Sequence, residues 1–154
     1  MNFNLEKHEE WMMIALNEAE KAFNNKEVPI GAVVVKNGRV IGRGYNQCEI
    51  LNDPTAHAEI IAITSAANTL KDWRLSECSL YVTKEPCPMC AGAIINSRLK
   101  FIGFGAYDDK EGCCGSLYQI CNDPRFKHQV LFRGGILNDP CQILLKDFFN
   151  NLRN

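Results

Sequence analysis

Residues 28–35, Val-Pro-Ile-Gly-Ala-Val-Val-Val, are almost wholly apolar, and Asn37-Gly38 follows one residue later. A run this rich in valine with no polar alternation suits a strand covered on both faces. Asn-Gly between this run and a second one, Arg39–Gly44, is the strongest short-range hairpin signal, because the matching turn needs positive φ at both central residues. A strand that must be covered on both sides requires a helical layer above it and another below.

The rest of the chain supplies those layers. Trp11, Ile14, Ala15, Leu16, Ala19, Ala22 and Phe23 recur at helical spacing, which predicts a first helix over 5–24, ended at Asn24-Asn25. A loop over 46–55 turns at Asn52-Asp53-Pro54, and a breaker-free helix follows over 56–70. A third strand is expected around 80–83, a helix over 86–97, a fourth strand over 100–105 and a loop over 106–115. Pro88 fits a first helical turn, where its missing N–H costs nothing. A short helix over 116–121, a fifth strand over 129–132 and a closing helix over 141–152 complete the pass. The order predicts a three-layer α/β/α architecture with a central five-stranded mixed sheet. Crossovers through the second and third helices should make strands three and four parallel to a neighbour.

Composition removes several classes of function. At 154 residues, 46% hydrophobic and 23% charged, the chain reads as one folded domain spanning 1–154, and disordered or fibrous proteins are excluded. No apolar run approaches the ~18–20 residues of a membrane span. The polar, acidic start Met1–Glu10 lacks the pattern of a secretion signal, so a cytoplasmic protein is expected. Formal net charge is −1, which argues against phosphate-driven nucleic-acid binding over the whole surface. Residues 91–154 nevertheless carry 8 Lys and Arg against 6 Asp and Glu, so a local basic patch is possible there. Eight cysteines without a secretion signal are better read as metal ligands and buried thiols than as disulfides. Cys48, Cys78, Cys121 and Cys141 are expected to be packed thiols.

Two short motifs carry chemistry. One is His57-Ala58-Glu59 and the other Pro86-Cys87-Pro88-Met89-Cys90. Cys-x-x-Cys at a helix start sets two sulfurs on one side, and the positive end of the helix favours the thiolates a metal requires. Two sulfurs and an imidazole make a zinc-type ligand set, and three protein ligands with one open position is the catalytic pattern. The expected cofactor is one zinc ion per chain, held by His57, Cys87 and Cys90, with a water acidified at the open position. Glu59 lies two residues from His57, about 200° around a regular helix. Both serve one site only if His57 stands at the helix end. Glu59 is then the catalytic proton carrier. Taken alone, the Cys-x-x-Cys could be a redox pair and the His-x-Glu a surface feature. Together, each before a helix and after a strand, they point to a catalytic metal.

These motifs resemble the zinc-dependent cytidine/deoxycytidylate deaminase superfamily and, within it, the tRNA-specific adenosine deaminases. The resemblance extends through Asn52–Ile60, Leu80–Thr83, Cys90–Ala93, Gly103–Ala106, Gly115–Leu117 and Asp147–Phe149, from about Val28 to the end. It departs at Lys84, where an apolar residue is usual, and at Cys113-Cys114, where small residues are usual.

The resemblance implies a cytidine-deaminase-like fold, a homodimer, and hydrolytic deamination of the wobble adenosine of a tRNA anticodon to inosine. It further implies that Asn46 pairs with the purine edge, that the loop of Asp108 and Lys110 touches anticodon nucleotides, and that Phe149 and Arg153 meet the RNA by stacking and charge. At least one of Phe148 and Phe149 is expected in the core. Two alternatives stay open. One is a small-molecule deaminase acting on guanine or cytosine with the same centre. The other is a silent RNA-binding relative whose zinc is structural.

Overall fold

The computed structural model describes residues 4–153. In chain order the elements are α1 (Leu5–Asn24), β1 (Gly31–Lys36), β2 (Arg39–Tyr45), α2 (Cys48–Leu51), α3 (Ala58–Leu70), β3 (Ser79–Lys84), α4 (Pro88–Asn96), β4 (Phe101–Ala106), β5 (Leu131–Arg133) and α5 (Asn138–Arg153). Asn4 caps α1, its side chain accepting from the Lys7 N–H. Asn37 and Gly38 both have positive φ, at 51° and 72°, and close the hairpin with Lys36 opposite Arg39.

The five strands form one mixed sheet in the order β2-β1-β3-β4-β5. β1 pairs antiparallel with both β2 and β3, while β3, β4 and β5 run parallel. The crossover through α4 therefore places β4 parallel beside β3. The crossover through α3 makes β3 run in the same direction as β2, but β1 lies between them.

Alternation along the strands divides the core in two. Ala32, Val34, Leu80, Val82, Ile102 and Phe104 pack with Ala58, Ala62 and Ala66 of α3 and with Ala91 and Ile94 of α4. Val33, Val35, Tyr81 and Phe101 pack on the other face with Met12, Ala15 and Leu16 of α1 and Cys141 of α5. β1 is buried along its apolar length, as its composition requires. α3 lies very close to the sheet, because a Cβ on Gly44 would collide with the Ala58 carbonyl and one on Gly42 with the Ala66 amide. That approach fixes the start of α3, where the site begins.

Three expectations are corrected. Residues 116–121 form no helix. Cys114 and Gln119 make an isolated antiparallel bridge, and the Ile120 amide donates to the Cys113 carbonyl instead of to a helical ladder, while the Cys114 and Ser116 amides donate to the Glu85 carboxylate. The loop over 46–55 contains the short helix α2, whose Glu49 and Ile50 amides donate to the buried Glu27 carboxylate. Cys48, at the start of α2, is only half-buried, whereas Cys78, Cys121 and Cys141 are packed thiols. Cys113 and Cys114 are fully buried among the aliphatic side chains under α3 and α4. Among the described residues, no helix is long and apolar enough to cross a membrane.

Candidate metal centre

His57 and Cys87 occupy the N-cap positions of α3 and α4, both in extended backbone, with Pro88 opening α4. Neither side chain caps its own helix, so both are free to point across to each other. Cys90 lies in the first turn of α4 and is fully buried. His57 Nδ1 is 3.6 Å from Cys87 Sγ and 3.6 Å from Cys90 Sγ. A tetrahedral ion bonded at about 2.0–2.1 Å to nitrogen and about 2.3 Å to sulfur holds such atoms about 3.6 Å apart, so the three residues fit zinc. Among the described residues, no other group of three or more His, Cys, Asp or Glu gathers its ligand atoms so closely.

The electrostatics favour an anionic Cys87. The Cys90 thiol donates to Cys87 Sγ and, with His57 beside it, brings the Cys87 thiol down to about 4. The same hydrogen bond and burial push the Cys90 thiol up. Hydrogen bonding to Cys87 raises His57. Two helix N-termini converge here, and each favours negative charge. Glu59, the second residue of α3, is buried, and desolvation pushes its carboxyl up to about 7. Because His57 precedes the helix rather than sitting in it, the 200° separation of a regular helix does not apply, and both residues reach one site.

A cavity of about 630 Å³ opens over His57 and Ala58, walled by Asn46, Lys84, Phe148 and Phe149. Asn46 is buried and its Nδ2 donates to the Val28 carbonyl at 3.4 Å, while its Oδ1 has no hydrogen-bond partner. Phe148 is buried and meets Phe149 edge-on at 5.3 Å, leaving Phe149 the more exposed of the two. Phe148 is thus the core member of the pair. Asp108 does not line the cavity. Its Oδ1 accepts from the Lys110 and Glu111 amides, and its Oδ2 pairs with Lys84 at 2.9 Å. Lys110 and Arg153 are exposed and lie outside the cavity wall.

Several lining residues escaped sequence reasoning. Cys48 and Glu49 arrive with α2, a helix too short for periodicity to reveal, and Glu27, between α1 and β1, holds that helix's amides. Lys84 was visible as a departure from the expected apolar residue, but its place in the wall was not. Glu85 was also missed. Buried next to the ligand-bearing turn, it accepts from the Asp108, Cys114 and Ser116 amides and from the Ser116 hydroxyl, tying the 108–116 loop to Pro86-Cys87.

Comparison with known proteins gives four similarities. A family profile describing MafB19-like deaminases matches residues 6–153. A tRNA-specific adenosine deaminase of Bacillus subtilis (strain 168) is 46% identical over 143 residues, covering 93% of this chain and 89% of the relative. A solved structure of a tRNA A34 deaminase, studied for A-to-I editing at the wobble position, superposes with a TM-score of 0.84 at 41% identity. It covers 88% of this chain and 98% of its own. A guanine deaminase structure from Bacillus subtilis aligns with a TM-score of 0.62 at 41% identity, over 70% of this chain and 66% of its own.

Proposed function

The chain belongs to the MafB19-like deaminase family, and from that membership we propose that it hydrolyses the wobble adenosine of a tRNA anticodon to inosine, releasing ammonia. The observation that carries the reading is the position of Glu59, buried and interacting with the three zinc-type ligands His57, Cys87 and Cys90, where a cavity walled by Asn46 and Phe149 opens over His57. Relatives named for this substrate are similar over nearly the whole chain. We read residues 1–154 as one such domain.

His57, Cys87 and Cys90 would hold the zinc, which when bound supplies an acidified water as nucleophile. The chain's own groups do the rest. Glu59 takes one proton from the attacking water and gives it to ring N1, then takes the second from the oxygen now on C6 and delivers it to the departing amine, so adenosine and water become inosine and ammonia. A carboxyl raised towards neutrality suits both acceptance and donation. Asn46 offers its unpartnered Oδ1 to the purine edge. Phe149 is an exposed face on which an unstacked base can lie. Lys110 and Arg153 would meet phosphates outside the cavity.

Ammonia release from an anticodon stem-loop, measured beside free adenosine, guanine and cytosine, tests the substrate. Turnover confined to the stem-loop is expected. A second reading, deamination of free guanine, is favoured by the 41% identity to the guanine deaminase. Rapid turnover of guanine with none of the stem-loop would establish it.

We also propose a homodimer in the cytoplasm. Supporting the dimer, Leu117, Tyr118 and Phe126 expose large apolar side chains within one segment. Supporting a reducing compartment, all eight cysteines are free. Sedimentation of the purified protein showing only monomer would overturn the first.

A further inference from the structure

Lys84 ends β3, one residue before Glu85-Pro86-Cys87, and lines the same cavity as His57, Asn46 and Phe149. Its side chain is 27% exposed, and that of its ion-pair partner Asp108 is 12% exposed. The Asp108 carboxylate is itself held in place, because its other oxygen accepts from the Lys110 amide at 3.0 Å and the Glu111 amide at 3.2 Å. Asp108 therefore acts as a fixed bracket and Lys84 as the group it orients.

An ion pair drawn this far out of water is a weak stabiliser, since desolvation of both charges offsets their attraction. An apolar side chain at this position would pack without that penalty. Stability therefore does not account for the lysine. An ammonium carries three donors and no acceptor. Asp108 engages one, and the position of Lys84 in the cavity wall opens the others to an incoming ligand. The remaining charged lining residues are Lys26, Glu27, Glu49 and Glu111, and Glu27 is already engaged by the Glu49 and Ile50 amides. An anionic strand entering this wall meets more carboxylates than cations. Of the two lysines, Lys84 is the one whose strand leads directly into the metal-ligand turn.

We propose that Lys84, oriented by Asp108, binds a phosphodiester of the RNA strand immediately flanking the target adenosine. This rests on the tRNA reading above and names a contact within it. The ligand chemistry is a backbone phosphate, so the contact registers the strand in the cavity without reading its sequence.

The test is steady-state kinetics on an anticodon stem-loop, with wild type, Lys84→Met and Lys84→Arg. It adds stem-loops in which the phosphate on either side of the target is replaced singly by a neutral methylphosphonate. Lys84→Met should raise KM about tenfold with kcat within about threefold, as loss of one charge-assisted hydrogen bond implies. Its dependence of log KM on log salt should flatten by about 0.7, and Lys84→Arg should restore both. One methylphosphonate RNA should cost wild type the same factor and cost Lys84→Met nothing more. A Lys84→Met enzyme with wild-type KM and salt dependence overturns the proposal, as does a methylphosphonate penalty that persists in full in that variant. Should Lys84→Met fail to fold, the wild-type series decides alone, and insensitivity to both neutralised phosphates is the overturning result. A wild type that ignores the stem-loop but deaminates guanine sinks the substrate reading itself, whatever Lys84→Met does.

Discussion

His57 and Cys87 hold the same position in two different helices, each the residue before the first turn, with their ligand atoms 3.6 Å apart. A helix start ordinarily prefers Ser, Thr, Asp or Asn there, to satisfy an orphan amide. Here the cap position is given to a residue that could ligate a metal, and both helix ends aim their positive poles at one point. The arrangement brings an imidazole and a thiolate to a shared centre without requiring either helix to distort.

Purified protein should contain about one zinc per chain, because a single complete ligand set exists among the described residues. Chelation should lower the unfolding temperature and zinc should restore it, since metal affinity is part of the folding free energy. Cys87→Ser and Cys90→Ser should lose both metal and stability. Zinc affinity should weaken as pH falls, because the thiols must shed protons to bind. Elemental analysis finding no zinc after gentle purification, or two per chain, would contradict this.

Glu59→Gln should keep zinc and bind the stem-loop yet lose turnover. The amide preserves shape but cannot accept a proton. Proton transfer by a positioned group is worth roughly 10²–10⁴-fold, and Glu59 serves several transfers, so a loss of about 10⁴ is expected. Single-turnover rates within tenfold of wild type would assign the protons to another group.

Asn46→Ala and Lys110→Ala should separate base reading from backbone contact. Asn46→Ala should cut kcat/KM on the stem-loop about 10–100-fold, the range for losing one buried hydrogen-bond partner, with salt dependence unchanged. Lys110→Ala, and likewise Arg153→Ala, should instead weaken binding and flatten the salt dependence by about 0.7. Identical salt profiles for the Asn46 and Lys110 variants would remove the distinction.

Glu85→Ala should be among the more damaging changes away from the metal ligands. It orphans the Asp108, Cys114 and Ser116 amides together. Only the Cys114 amide is fully buried, so at about 1–3 kcal/mol for an unsatisfied buried group a destabilisation of about 1–3 kcal/mol is expected in urea unfolding. Glu85→Gln, which retains an acceptor, should be milder. A Glu85→Ala protein as stable as wild type would show that the loop stands without this carboxylate.

The gathering of His57, Cys87 and Cys90 into one group that could hold a metal was legible because their spacing carries the chemistry. The strand covered on both faces and the Asn37-Gly38 turn were legible because local sequence alone dictates them. The missing helix over 116–121 was not, because the segment pairs back on Cys113 and Cys114, which are themselves anchored through the Cys114 amide to Glu85, 29 residues earlier in the chain. α2 was hidden for the same reason, its amides being held by Glu27 from 22–23 residues away. The start of α5 at Asn138 rather than Cys141 reflects Pro140, which fits a first helical turn as readily as it breaks an interior one.

The two walls of the cavity differ in how firmly they are attached. The 108–116 loop is fastened to the ligand turn through Glu85. The wall formed by α5 rests on Cys141 and Phe148, its buried residues, and its end at Phe149 and Leu152 is exposed. A substitution in the first wall disturbs metal and loop together, whereas one near the end of α5 disturbs little else. If variants of this enzyme were selected in the laboratory for a bulkier or smaller base, the earliest adaptive changes should accumulate around Phe149 and Leu152, while the Glu85 loop should stay the same from one lineage to the next.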